Sequence, residues 1–124
     1  MELETETSEG RTIISSYESE GVLIGAETLS ESFILVPGLK PRHWGIDRFA
    51  DLSASALVDL CSIDCDVLLV GTGIEQQFPG PVLVRVLAER GRSAEFMSSR
   101  SACITFNVLS LDDRSVAAAI ILPL

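Results

Sequence analysis

The hydrophobic pattern of the chain changes after residue 37. Before that point, short β-branched or apolar runs at residues 12–17 and 21–24 are separated by three polar residues, which predicts a β-hairpin closed by a Gly-containing turn. Residues 31–36 predict a third strand. The Pro-Gly pair that follows ends it, because proline lacks the donor that a sheet needs.

Beyond Trp44, helical periodicity alternates with strand-like runs. The run at residues 66–70 predicts a strand buried on both faces in the middle of a sheet. Further elements follow in alternation with it: a helix at 53–61 capped by Ser53, a helix from Pro81 to Gly91, a strand at 94–97, a helix at about 101–109 and a strand at 115–122. The predicted fold class is therefore α/β: a three-layer domain with a central mixed β-sheet, helices on its faces and an additional N-terminal β-hairpin.

Length and composition limit the domain organisation. The chain has 124 residues, of which 47% are hydrophobic, enough for one core and too few for two ordinary domains. We expect residues 11–124 to form a single α/β domain and the Glu-rich residues 1–10 to be a disordered acidic tail. Apolar runs far shorter than about 20 residues predict no membrane span. The start of the chain lacks the pattern of a secretory signal, so we expect a cytoplasmic protein.

The charge balance restricts the partners. Nine basic and eighteen acidic residues give a formal charge of −9, which repels phosphate backbones, so we expect no nucleic-acid partner. Four arginines give the second half a basic bias that predicts either a site for an anionic partner or solvated charges at helix ends. These are Arg85, Arg90, Arg92 and Arg100.

The most promising place for a ligand is Gly71-Thr72-Gly73, at the predicted end of the 66–70 strand. Ligands of open α/β sheets bind at this edge, where exposed amides and a helix N-terminus attract anions. The segment lacks the third glycine of a dinucleotide fingerprint and the Gly-Lys-Ser/Thr of a P-loop, so plain turn glycines are the alternative. Asn107, inside an apolar helix, either ties that helix to a neighbouring loop or points into a pocket. The candidate ligand-binding residues are Gly71, Thr72, Gly73, Thr105 and Asn107.

The sequence predicts no catalytic residues, no metal and no cofactor. His43 is the only histidine available to activate a serine, no Gly-x-Ser-x-Gly elbow is present, and the carboxylates are scattered. Cys61 and Cys65 are spaced as metal ligands or a redox pair could be, but zinc sites usually show tighter pairs, so we interpret them, with Cys103, as small buried apolar residues. An odd number of cysteines fits a reducing compartment.

Several residues together resemble a known family. They are Gly71-Thr72-Gly73, Gly91, Glu95-Phe96-Met97, Ser99, Ala102, Thr105-Phe106-Asn107, Leu109 and Arg114, with the Pro-x-x-Trp stretch Pro41 to Trp44. They resemble the small-domain family that includes the mitochondrial NADH:ubiquinone oxidoreductase (complex I) assembly factor 3. The resemblance covers residues 12–122 and is most specific over 91–109. Ile104 and Phe106 stand where a basic residue and a tyrosine are expected, which removes a charge and a hydroxyl from any shared polar site.

The resemblance implies a three-layer fold with a central mixed sheet and, in mitochondria, a chaperone-like role in building a respiratory complex through a partner protein. Prokaryotic relatives are largely of unknown function. We therefore predict a non-enzymatic binding or assembly-type protein whose partner is another protein. The alternative is a small-molecule or anion-binding protein, possibly an enzyme, with a pocket at the Gly71-Thr72-Gly73 loop. A third prediction is a homo-oligomer formed through an exposed edge of the N-terminal hairpin.

Overall fold

The computed structural model describes residues 7–8, 11–18, 21–36 and 38–124. The strands are β1 (Thr7–Ser8), β2 (Arg11–Thr12), β3 (Ile14–Glu18), β4 (Gly21–Ile24), β5 (Glu27–Leu29), β6 (Phe33–Leu35), β7 (Arg42–His43), β8 (Val67–Gly71), β9 (Glu95–Met97) and β10 (Val116–Ile120). The helices are α1 (Ala54–Cys61), α2 (Pro81–Glu89) and α3 (Ser99–Leu111), and a 3₁₀ turn spans Phe49–Asp51.

The main sheet has five strands in the order β7-β6-β10-β8-β9. Strand β10 is parallel to β8 and antiparallel to β6, and β8 is parallel to β9. This confirms the predicted α/β class and the central mixed sheet. The 66–70 run forms β8, which has neighbours on both sides, although the strand at the centre is β10.

Alternation along β10 divides the core into two layers. Val116, Ala118 and Ile120 face the layer that contains α3 and the N-terminal strands, whereas Ala117 and Ala119 face the layer that contains α1. All five side chains are almost fully buried. A strand covered on both faces needs apolar residues at every position, which is why β10 and β8 are continuously hydrophobic.

The N-terminal hairpin is present as β3 and β4, with β5 added as a third antiparallel strand. The sequence analysis missed β5, and in the main sheet it missed β7. The strand predicted at 31–36 forms β6 and pairs with β10 in the main sheet. Association of two copies through a free edge of the hairpin sheet stays a prediction.

The helix ends follow from local capping. The Ser53 Oγ accepts a hydrogen bond from the Ala56 amide, as expected for an N-cap. Helix α2 begins at Pro81 and is ended by Gly91, whose φ of +62° favours glycine. Helix α3 starts earlier than predicted because Ser98, with its Oγ on the Ser101 amide, is the N-cap.

None of the helices within the described residues is long and apolar enough to cross a bilayer. The predicted acidic tail, residues 1–10, falls largely outside the described residues. Its only described part is β1, which pairs antiparallel with β2. A disordered tail therefore stays a prediction.

Candidate functional site

The glycine loop leaves the main sheet at the end of β8. Gly71 is the last residue of the strand, and Thr72 and Gly73 lead into the loop that reaches α2. A Cβ atom on Gly71 would lie 2.8 Å from the Ser99 Oγ and 2.9 Å from its Cα. Glycine at position 71 therefore lets β8 pass directly against the first turn of α3.

Ser99 joins three segments at this point. Its Oγ accepts a hydrogen bond from the Gly73 amide at 2.9 Å and donates one to the carbonyl of Ile121. Its own amide donates to the Gly73 carbonyl at 2.8 Å. Gly73 has a φ of +107°, a region that favours glycine. The sequence analysis named Ser99 only among the residues of the family resemblance and missed this role.

Thr72 fixes the shape of the loop that follows. Its hydroxyl lies 2.7 Å from the Glu75 carbonyl and 3.1 Å from the Met97 carbonyl, and it accepts a hydrogen bond from the Gln77 amide. The Thr72 amide donates to the Met97 carbonyl at 2.8 Å. The side chain of Gln76 donates to the carbonyl of Phe96 at 2.9 Å. The loop is thus held to β9 by its own polar groups.

An open cleft of about 460 Å³ lies beside this loop. Its lining comprises Asp47, Arg48, Phe49, Ala50, Thr72, Gly73, Ile74, Glu75, Gln77, Ile121, Leu122 and Pro123. The amides of Thr72 and Gly73, which could have held an anion, are bonded to the Met97 carbonyl and the Ser99 hydroxyl. The glycine loop therefore borders a cleft, but these two donors are already used within the fold.

The other two candidate residues, Thr105 and Asn107, lie on α3 and away from the glycine loop. The Oδ1 of Asn107 accepts a hydrogen bond from the Ile14 amide at 2.7 Å, and its Nδ2 donates to the Ile14 carbonyl at 2.8 Å. Asn107 therefore ties α3 to the strand β3, whereas the sequence analysis expected a tie to a loop or a position in a pocket. Asn107 follows Ser99 by eight residues in α3, which corresponds to about 12 Å along the helix axis. The residues that line the cleft do not include Asn107 or Thr105.

Three large apolar side chains on the segment after the glycine loop project into solvent, a feature that sequence reasoning missed, and one of them, Ile74, lines the cleft. Ile74 is 69% exposed, Phe78 74% and Val82 68%. We call these three residues the apolar tip. The signal was available, because Ile74 and Phe78 are large apolar residues in a loop that is otherwise polar or rich in Pro and Gly.

The four arginines do not form one basic site. The Arg92 guanidinium donates to the carbonyls of Ile63 and Cys65 at 2.9 and 3.0 Å and lies 2.7 Å from the Cys65 Sγ, so it fixes the segment after α1. Arg100 donates to the Tyr17 carbonyl at 3.2 Å and lies over the Tyr17 ring. Two of the four are therefore engaged at different places in the fold.

Among the cysteines, Cys103 is buried, whereas Cys61 and Cys65 are partly exposed. Burial raises the pKa of Cys103 to about 12, against a smaller lowering by the charge of Arg100. Within the described residues, no three His, Cys, Asp or Glu side chains are grouped so as to hold a metal ion.

Comparison with known proteins gives one family and several relatives. A family described as "Protein of unknown function (DUF498/DUF598)" matches residues 14–121. The NADH dehydrogenase [ubiquinone] 1 alpha subcomplex assembly factor 3 of Danio rerio is 32% identical over 124 residues, covering 98% of this chain and 70% of the relative. A 13 kDa major membrane protein of Francisella tularensis is 33% identical over 76 residues, covering 61% of this chain and 62% of the relative.

Solved structures agree with the fold. The crystal structure of a protein from Bordetella parapertussis superimposes with a TM-score of 0.82 at 29% identity, covering 91% of this chain and 97% of the other. An experimental structure of a similar chain therefore has the same overall fold.

Proposed function

This chain belongs to the family described as a protein of unknown function (DUF498/DUF598), and on that premise we propose that it is a non-enzymatic binding protein that helps a respiratory NADH dehydrogenase to assemble. The observation that carries the proposal is the similarity to the Danio rerio assembly factor, which extends over 98% of this chain. An assembly role is said of that relative, and here it is our proposal.

The chemistry around the cleft supports binding rather than catalysis. Ser99 and Thr72, the hydroxyl side chains nearest the glycine loop, are held in hydrogen bonds to backbone groups. A nucleophile needs a base within hydrogen-bond reach. His43, the only histidine of the sequence, lies on β7 at the far edge of the main sheet and faces Glu31 at 3.5 Å.

The rival proposal is an anion or small-molecule site at the glycine loop, possibly enzymatic. The cleft of about 460 Å³ favours it, and the engaged amides of Thr72 and Gly73 count against an anion. Thermal-shift screening separates the two proposals. A ligand at a hundred times its Kd adds about 2.7 kcal/mol of stability, and such a shift with inorganic phosphate or a nucleotide would favour the rival.

The experiment that tests the assembly role is deletion of the gene in its own organism. In the deletion strain we expect a smaller amount of fully assembled NADH dehydrogenase on native gels and slower NADH oxidation by isolated membranes. The wild-type gene should restore both. ATP synthase in the same membranes is the control and should be unchanged. Normal amounts of assembled NADH dehydrogenase in the deletion strain would overturn the proposal. Fractionation of the same cells tests the expected cytoplasmic location.

A further inference from the structure

We propose that the cleft and the apolar tip form one docking surface for a basic amphipathic segment of a partner protein, whose apolar side chain enters the cleft. This inference deepens the proposed function, because it rests on the partner being a protein, and it adds where that partner binds and what chemistry it has. Four observations carry it: exposure, rigidity, the shape of the cleft and charge.

The first observation is the exposure of the apolar tip. Ile74, Phe78 and Val82 lie within nine consecutive residues and each keeps more than two thirds of its surface in water. Single exposed apolar residues are ordinary, but large ones concentrated on one short segment mark interaction sites. Aromatic side chains such as Phe78 are among the residues enriched at the centres of interfaces.

The second observation is that hydrogen bonds hold residues 72–77, the part of the segment that precedes Phe78. The Thr72 hydroxyl forms hydrogen bonds with the Glu75 carbonyl and the Gln77 amide, and the Gln76 side chain donates one to a carbonyl of the edge strand β9. Pro81 restricts the backbone where the loop enters α2. A surface held in one conformation before binding loses less entropy when the partner arrives. Hydrogen bonds within the fold occupy backbone amides of the loop that could otherwise hold an anion. The same bonding favours the loop as a protein-binding surface.

The third observation is the cleft itself. Phe49 is partly exposed at the cleft, Ile121 and Leu122 line it although they are only 3% and 7% exposed, and Ile74 belongs to both the cleft and the apolar tip. A volume of about 460 Å³ is large enough for an apolar side chain to be buried as an anchor. A partner that places one side chain there also covers the exposed face of Ile74.

The fourth observation is charge, which selects the occupant. The residues that line the cleft include the acidic Asp47 and Glu75 and a single basic residue, Arg48, whose Nε lies 3.5 Å from the Asp51 Oδ2. The whole chain carries −9. Such a surface attracts a basic segment and disfavours a second copy of this acidic chain or an anionic membrane.

The test uses a synthetic 15-residue amphipathic helix made only of Leu and Lys, titrated into the full-length ¹⁵N-labelled chain. We expect amide shifts confined to residues 47–50, 72–82 and 121–123, and weaker binding when the salt concentration is raised from 50 to 300 mM. Phe78→Asp should weaken binding at least tenfold. Ile74→Asp is a second variant with the same expectation if Phe78→Asp does not fold.

The matched control is Val108→Asp, a charge placed on another exposed apolar side chain, which is 60% exposed on α3. It should leave binding within twofold of wild type. The proposal is overturned if Val108→Asp weakens binding as much as Phe78→Asp, or if a Leu/Glu peptide binds as well as the Leu/Lys peptide. It is also overturned if the Leu/Lys peptide does not bind, and Phe78→Asp instead abolishes either the binding of the chain to phosphatidylglycerol vesicles or its association into a dimer.

The outcome is separable from that of the proposed function. If deletion lowers assembled NADH dehydrogenase but Phe78→Asp restores it fully, the docking surface is wrong and the assembly role stands. If deletion has no effect on that enzyme while Phe78→Asp still abolishes peptide binding, the assembly role is wrong and the docking surface stands.

Discussion

The Oγ of Ser99 lies 2.9 Å from the amide nitrogen of Gly73 and accepts its hydrogen bond. The same hydroxyl donates to the carbonyl of Ile121. Ser99 is completely buried, so no water can replace either contact. One side chain at the start of α3 therefore fixes both the loop after β8 and the segment after β10, two of the three segments that form the cleft.

Removal of this hydroxyl should destabilise the domain. Ser99→Ala leaves the Gly73 amide and the Ile121 carbonyl each without this partner in the interior, at a cost of about 2 kcal/mol in the free energy of unfolding. Urea denaturation measures the loss. Ser101→Ala, an exposed serine on the same turn, should change stability by less than about 0.5 kcal/mol. Equal losses in the two variants would contradict the role given to Ser99.

Addition of one methyl group at Gly71 should also be costly. Its Cβ would lie 2.8 Å from the Ser99 Oγ and 2.9 Å from the Ser99 Cα, so α3 or β8 would have to shift. We expect Gly71→Ala to lower the free energy of unfolding by about 1–3 kcal/mol. Gly45→Ala, where a Cβ meets nothing within 4 Å, is the matched control. A Gly71→Ala protein as stable as the Gly45→Ala protein would show that the contact between β8 and α3 is looser than described.

The link between Asn107 and Ile14 predicts a local effect. Asn107→Leu keeps a similar size but removes both hydrogen bonds to the Ile14 backbone, which should cost about 2 kcal/mol. Hydrogen exchange should accelerate most in β3 and β4, because α3 then holds the hairpin sheet by fewer contacts, with the Arg100–Tyr17 contacts and the apolar core remaining. Thr105→Ala on the same helix should leave these exchange rates within twofold of wild type. Faster exchange in β8 and β10 than in β3 would contradict this assignment.

The sequence predicted four of the five strands of the main sheet, because those strands have local signals, and missed the two-residue strand β7. Residues 67–70 and 116–122 are continuously apolar, and that pattern is typical of strands covered on both faces. Strand β5, Glu27–Leu29, was missed because three residues with two exposed polar side chains have no periodicity to detect. The position of β5 is fixed by its pairing with β4. That pairing depends on the partner strand and cannot be detected from the three residues of β5 alone.

The candidate site was predicted only in part, for a similar reason. The position of Gly71-Thr72-Gly73 at a strand end follows from the pattern, and a cleft does border Thr72 and Gly73. Ser98, Ser99 and Ser101 are indistinguishable in sequence, and only the approach of α3 to β8 selects Ser99 for the buried role. Burial of polar donors by tertiary contacts is a non-local event.

The three cysteines should differ in reactivity. Cys61 and Cys65 are partly exposed and Cys103 is buried with its pKa raised to about 12. Since the thiolate is the reactive form, a disulfide reagent at pH 8 should modify two thiols in the native chain and the third only after unfolding in guanidinium. Mass spectrometry of the labelled peptides identifies the sites. Modification of Cys103 at the rate of Cys61 in the folded protein would contradict its burial.

Burial of Cys103 also makes stability depend on pH in the alkaline range. The folded state holds the thiol proton up to a pKa of about 12, whereas the unfolded state releases it near the ordinary value of 9.0. Below pH 9 the thiol is protonated in both states and the contribution of Cys103 is fully present. Above pH 9 only the unfolded state ionises, so the free energy of unfolding should fall by up to about 1.4 kcal/mol per pH unit until about pH 12. Cys103→Ala should lack this part of the slope, and parallel curves for the two proteins between pH 8 and 11 would show that Cys103 titrates alike in both states.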